Sequence, residues 1–263
     1  MSERSRGLAR TARRLVIEAA IGAGTCHIGS SLSIVDVLAV LYADVLEPEG
    51  EAEAHRFLLS KGHAASALYA ILAATGTLTA EQVLRGYCSD GGTLHGHPER
   101  GRPGVEMTGG SLGHGPAIAV GMALAERGRG GRRIYCLVGD GELGEGSVWE
   151  ALALAGHLKL DRLTLIVDAN GLQGLGRCAD IVDLEPLPAK LEAFGFEVAI
   201  VDGHDHDALT RAFAASTAPR PQAVIARTVK GRGVPAMEGE VMSHYRTLTE
   251  ADREAVLARL EVS

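Results

Sequence analysis

Two periodicities divide the chain. Residues 8–22 and 33–46 place apolar side chains at i, i+3 and i+4 with no internal proline, which lays an apolar stripe along a helix. Residues 63–75 read as another helix, and 79–87 as a short one opened by Thr79, whose hydroxyl suits an N-cap. From residue 133 the pattern changes. Short apolar runs at 133–138 (RIYCLV), 163–168 (LTLIVD), 197–201 (EVAIV) and 222–227 (QAVIAR) alternate with helical stretches at 147–158, 186–194 and 206–216. Apolar strands interleaved with helices predict an α/β fold: a parallel sheet flanked by helices on both faces. Residues 1–263 read as a single domain. The segment 202–209 (DGHDHDAL) reads as a helix start with an aspartate cap, and a last amphipathic helix is expected over 249–260.

The stretch 88–116 fits neither period. It holds nine glycines and three histidines, and its GGSLGHG runs straight into the helical pattern AIAVGMALAE. A long glycine-rich segment that feeds a helix reads as a functional loop packed over a site. Residues 230–246 are loop-like and glycine-rich as well.

In a parallel sheet, ligands collect outside the carboxyl ends of the strands. Two polar turns fall there: Gly139-Asp140-Gly141 after one strand and Asn170 after the next, thirty residues on from Asp140. GDG alone would be an ordinary turn, since Gly and Asp dominate turns. Paired with Asn170, it points to magnesium, a small ion that takes oxygen ligands and leaves positions for phosphate. Asp140, the Asn170 amide and the Leu172 carbonyl are the candidate ligands. Gly139 and Gly141 allow close approach of phosphate, and the helix starting near Ser147 adds its positive end.

Histidines recur in glycine-bounded contexts: His27, His63, His95, His97, His114 and His244. Imidazoles in such loops can exchange protons with hydroxyls or donate to phosphate oxygens. His95 and His97 lack the remainder of a zinc ligand set. His157, on a helix, reads as a packing residue. Glu142, Glu145 and Glu150 follow the GDG turn. They are either ordinary first-turn carboxylates or a proton relay buried at an interface, and the residues leave both open.

Composition narrows the field. Of 263 residues, 46% are hydrophobic and 22% charged, an ordinary globular balance. The net charge of -7 argues against nucleic acid as a partner. The basic cluster Arg4, Arg6, Arg10, Arg13 and Arg14 reads as the solvated face of the first helix. Four scattered cysteines suggest neither a disulfide framework nor a metal motif. With no apolar run near the ~18 residues of a membrane span and no secretory signal, the chain reads as cytoplasmic.

The stretches CHIGSSLS, LSKGHAASALYA, HGHPERGRPGVEMTGGSLGHGPAIAVGMALA, GDGELGEGSVWEALALAGHLKL, VDANGLQ, VDGHD and VKGRGV, in this order, resemble the transketolase family. The match is to its N-terminal, diphosphate-binding domain, over residues 22–234. The resemblance implies thiamine diphosphate and Mg²⁺ as cofactors, with Asp140, Asn170 and the Leu172 carbonyl on the metal. It places His63, Gly139, Gly141, Glu142, Asn170 and His244 near the diphosphate, with Gly110 and Leu112 flanking the cofactor. His27, His97 and His244 would face the substrate and move protons, and Glu145 and Glu150 match positions between chains. Ile28, Gly171 and His114 depart from the family's usual residues.

The same resemblance implies that this chain is the small subunit of a split transketolase. A C-terminal subunit with the pyrimidine-binding domain would complete the site, in an α2β2 heterotetramer acting on a ketose and an aldehyde. Four other readings compete: a relative with a non-sugar acceptor, a cofactor-binding module without activity, a nicotinamide-binding domain, and a 2-oxo-acid dehydrogenase alpha-like subunit. LSKGHA and HGHPE argue against the dehydrogenase, and the intact Asp140, Asn170 and histidines against the inert module. The lack of GxGxxG after the first strand argues against the nicotinamide-binding domain.

Overall fold

The computed structural model describes residues 2–46, 55–128, 132–214 and 218–260. The chain begins with helix α1 (Ser2–Ala23), α2 (Ile28–Leu32) and α3 (Val35–Val40), then strand β1 (Arg56–Leu59), α4 (Ala65–Ala74), α5 (Ala80–Gly86) and α6 (His114–Glu126). There follow β2 (Ile134–Gly139), α7 (Gly146–His157), β3 (Leu163–Ala169), a small hairpin β4 (Leu172–Gln173) and β5 (Gly176–Arg177), α8 (Cys178–Ile181) and α9 (Leu187–Ala193). The last elements are β6 (Glu197–Asp202), α10 (His206–Phe213), β7 (Gln222–Arg227) and α11 (Glu250–Leu260).

Five strands form one parallel sheet in the order β1-β2-β3-β7-β6. Successive strand side chains point to opposite faces, and here each face meets its own core. Tyr135, Leu137, Ile166, Val224 and Ala226 join the cluster under α1, α3, α4 and α10. Their neighbours Ile134, Cys136, Leu165, Val167, Ala223 and Ile225 join the cluster under α6, α7 and α9. Burial on both sides is why these strands are apolar throughout. This is the α/β architecture expected from the sequence.

Several boundaries differ from expectation. The first helix starts earlier, at Ser2. The helix expected over 33–46 is broken: α2 ends before Ser33, whose hydroxyl bonds the Ser30 carbonyl at 2.9 Å and the Asp168 carboxylate at 2.7 Å. A π-type turn over Leu41–Val45 closes it. Strand β1 has no counterpart among the expected elements, since four residues are too few to show a period. The hairpin and α8 fill what reads as one turn after Asn170. α10 ends at Phe213, and residues 215 and 216, the end of the expected helix, lie outside the described residues. Thr79 caps α5 as expected, accepting from Gln82 N at 3.1 Å while Gln82 returns the bond at 2.7 Å. Asp205 caps α10 through Asp207 N and Ala208 N. Among the described residues, no helix is long and apolar enough to cross a membrane.

The basic cluster on α1 is not uniformly solvated. Arg13 turns inward to Asp36 at 2.7 Å, and Asp36 also bonds His204 Nδ1 at 2.7 Å and His206 Nε2 at 3.2 Å. Burial alone raises the Asp36 pKa, but the two histidine hydrogen bonds and the Arg13 charge outweigh it and hold the carboxyl well below its usual range. A depressed folded pKa contributes stability above the unfolded value and loses it as the pH falls below about 4. Asp36→Ala strands a buried arginine, so we expect a loss of about 3–5 kcal/mol at pH 7. Denaturant unfolding at pH 7 and pH 3 checks it: the gap between wild type and variant should be smaller at pH 3, which lies below the unfolded pKa but above the depressed folded one.

Candidate functional site

Four neighbouring strands deliver polar groups at their carboxyl ends. Lys61 and His63 follow β1, Asp140 follows β2, Asn170 follows β3 and Lys230 follows β7. With His27, Ser30, Gly110, Leu112, Gly139, Gly141, Glu142, Leu172, Gln173, Gly174 and His244 they line a cavity of ≈ 220 Å³. Size does not single it out, because a cavity of ≈ 680 Å³ opens elsewhere. The convergence of polar groups does. Gly62 lets two loops meet here, since a Cβ on it would lie 2.9 Å from Gly110 N.

One wall is rich in oxygen. Asp140 accepts from Gly141 N at 2.8 Å and Gly171 N at 2.5 Å. Burial raises its pKa, and the nearby Asp168 carboxylate raises it further. The Asn170 amide is oriented from both ends: its Nδ2 donates to Asp168 at 2.9 Å and its Oδ1 accepts from Leu172 N at 3.0 Å. Asp168 lies behind, fully buried, and takes further bonds from Lys61, Ser33 and Thr228. Among the described residues no group of three or more His, Cys, Asp or Glu could hold a metal by itself. Asp140, the Asn170 amide oxygen and the Leu172 carbonyl instead make a sparse oxygen set suited to a hard cation that brings other ligands with it.

Cationic groups line the same cavity. Lys230 is brought down to about 8 by burial and then by Lys61. His63 is brought down to about 2, by burial first and Lys61 next, and His244 to about 4, by burial and then Lys230. His27 is lowered by burial and then by His97. The imidazoles are therefore neutral at pH 7, beside two ammonium groups. A diphosphate fits these groups, since its negative charge would relieve the mutual repulsion.

Three of the expected histidines come together. The His27 ring lies 4.6 Å from His244 and 5.7 Å from His63, and His63 lies 5.5 Å from His244. His27 holds a left-handed backbone at φ 67°, uncommon for a residue with a side chain, and its N–H donates to the His244 carbonyl at 3.0 Å. Lys230 Nζ stands 3.3 Å from His244 Nδ1 and 3.4 Å from the Leu172 carbonyl.

Other expected residues lie apart. His97 is exposed and outside the cavity lining, its ring 3.9 Å from where a Cβ on Gly110 would stand. Glu142 lines the cavity in the first turn of a short 3-10 helix over Gly141–Gly144, but not as a solvated carboxylate. It is buried and accepts from Gly113 N at 2.9 Å, Gly139 N at 3.2 Å and Ser60, so it ties the glycine-rich loop to β2. Glu145 and Glu150 are exposed at α7. His157 is exposed and so is not a packing residue. His95 stands 3.6 Å from Glu99, and His114 bonds the Leu112 carbonyl. Ser30, Lys61, Gln173, Gly174 and Lys230 join the site without having been expected there. The signal for the two lysines is their place in SKGH and VKGRG, glycine-bounded turns like those of the histidines.

The sequence profile described as transketolase, thiamine diphosphate binding domain, matches residues 4–262. The chain belongs to the transketolase family. A transketolase from Leishmania mexicana has the same fold, with a TM-score of 0.90 and 32% identity over 98% of this chain. The chain spans only 41% of that transketolase. Two relatives match it nearly end to end. The 6-deoxy-6-sulfo-D-fructose transketolase subunit of Clostridium sp. (strain MSTE9) is 40% identical, over 96% of this chain and 94% of its own length. An apulose-4-phosphate transketolase subunit from Actinobacillus succinogenes is 40% identical, over 95% of this chain and 92% of its own length.

Proposed function

We propose that this chain is the N-terminal, diphosphate-binding subunit of a two-chain transketolase. The enzyme would move a two-carbon ketol unit from a ketose to an aldehyde, with thiamine diphosphate and Mg²⁺ as cofactors. A second chain carrying the pyrimidine-binding domain completes each site, in a cytoplasmic α2β2 assembly. The observation that carries this reading is the convergence, in one small cavity, of an oxygen-bearing set with two lysines and neutral imidazoles. The two near-full-length relatives named as subunits support the division into two chains.

When bound, thiamine diphosphate supplies the nucleophilic carbon and the electron sink of the reaction. The residues of this chain do the rest. Asp140, the Asn170 amide and the Leu172 carbonyl would hold Mg²⁺, with Asp168 fixing the Asn170 amide. Lys61, Lys230 and His63 would meet diphosphate oxygens, while Gly110 and Leu112 flank the cofactor. His27 and His244, neutral at pH 7, can accept a proton from a substrate hydroxyl and return it, and His97 would join them from the rim. Among the described residues no arginine lines the cavity, so the anionic tail of a phosphorylated or sulfonated sugar would be gripped by the partner chain.

Ile118 and Leu124 on α6 and Leu154 on α7 are exposed, as are Glu145 and Glu150 at α7, which packs against α6. Large exposed apolar side chains on this helix pair support self-association through it.

With the partner present, His27→Ala and His97→Ala should each lower kcat by roughly 10²–10⁴, the scale of a positioned acid–base group, with cofactor affinity spared. His63→Ala should weaken cofactor affinity first. Steady-state kinetics over a cofactor series separate the two effects, and full activity in both His27→Ala and His97→Ala would make those histidines structural.

A further inference from the structure

The larger cavity, ≈ 680 Å³, opens between α1, the loop at 232–238 and α11, and shares no lining residue with the strand-end site. In a chain of net charge -7, this wall is strongly basic. Five arginines line it, against the carboxylates of Asp36 and Glu238.

Those carboxylates are already engaged. Both oxygens of Asp36 are taken, by Arg13, His204 and His206. Glu238 accepts from Gly233 N at 2.9 Å and stands a long 3.9 Å from Arg232. Arg10 is exposed with no acidic partner among the described residues. Arg13 is pinned by Asp36, yet its Nε is buried without a hydrogen-bond partner. Each guanidinium carries five donors in a rigid fork that matches phosphate oxygens. Arg6 pairs with Asp207 at 3.5 Å, while Arg10 and the Arg13 Nε still have donors to offer on this wall.

Arg13 is also held in place. Gly233, at φ +91°, leaves the space its stem occupies, for a Cβ there would stand 2.8 Å from Arg13 Cδ. Ala9, Pro235, Ala258 and Leu260 give the cavity an apolar side. A concave site of this volume, part basic and part apolar, has the form of a small-molecule site rather than a flat protein interface.

We propose that this cavity binds a phosphorylated small molecule, its phosphate oxygens held by Arg10, Arg13 and Arg232 and its organic part against the apolar side. Inorganic pyrophosphate, titrated calorimetrically into the full chain without divalent metal or thiamine diphosphate, is the probe. We expect one saturable site per chain, weakened at least tenfold in the double variant Arg10→Ala/Arg232→Ala. Both residues are exposed, so the variant should melt with wild type, and Arg10→Glu alone gives a second check with a loss of the same size. No saturable binding, or binding that survives the double variant, overturns the proposal. So does a polyglutamate peptide that outcompetes pyrophosphate at these arginines, which would make the occupant an acidic protein segment.

Discussion

Asp140→Ala and Asn170→Ala should each abolish Mg²⁺-dependent binding of thiamine diphosphate. Loss of an outer-shell partner of a metal costs 10–100-fold, so loss of a direct ligand should cost at least about 10²-fold. Asp140 carries the only carboxylate in the proposed ligand set, and without it diphosphate and metal would meet through an amide and a carbonyl alone. The fold should not suffer. Asp140 bonds two backbone N–H groups and the Cys178 thiol, and its pKa is raised by burial and by Asp168. A raised folded pKa means that the ionised carboxylate costs stability at neutral pH. Metal-free Asp140→Ala should therefore melt no lower than metal-free wild type. Calorimetric titration with and without Mg²⁺ reads the binding, and tight metal-independent binding by wild type would refute the ligand assignment.

The second large effect concerns the chain by itself. Purified alone, with thiamine diphosphate and Mg²⁺, it should transfer no ketol units, and adding the pyrimidine-domain chain should raise turnover by at least about 10³-fold, the scale of a lost acid–base path. The geometry behind this is the cavity's size. At ≈ 220 Å³ it falls below the 300–1,000 Å³ typical of a complete small-molecule site, and its polar groups suit a diphosphate rather than an aromatic ring. Its carboxylates, Asp140 and Glu142, lie where the proposed diphosphate would sit, and Glu142 is already bonded to Gly113 and Gly139. A ketol-transfer assay with and without the second chain decides it; robust turnover by the lone chain would sink the two-chain reading.

The central sheet was legible because burial on both faces leaves an unbroken apolar run, as at LTLIVD. The places of Asp140 and Asn170 at the cavity were legible because those runs mark the strand ends and the two residues follow at once. β1 was not, since RFLL is too short to distinguish from a helical fragment. Nor was the role of Glu142, because a carboxylate after a strand looks the same whether it faces solvent or ties down a loop. Lys61 and Lys230 escaped for the opposite reason: lysine in a glycine-rich turn is ordinarily a surface residue, and only packing shows that both are 1% exposed. The Asp36 network joins residues more than 160 positions apart, a distance no local pattern reports.

The pairing of Lys61 with Asp168 bears on how such a chain can change over generations. Both are buried, and each is the other's counter-charge. Replacing either alone leaves an uncompensated charge in the interior, a loss of several kcal/mol that few proteins tolerate. Replacing both with a matched apolar pair removes that penalty, but it also strips the cavity wall of a cation and the Asn170 amide of its anchor. Stability would permit the joint exchange while cofactor binding would not. Drift at the two positions is thus closed one step at a time by folding and two steps at a time by function.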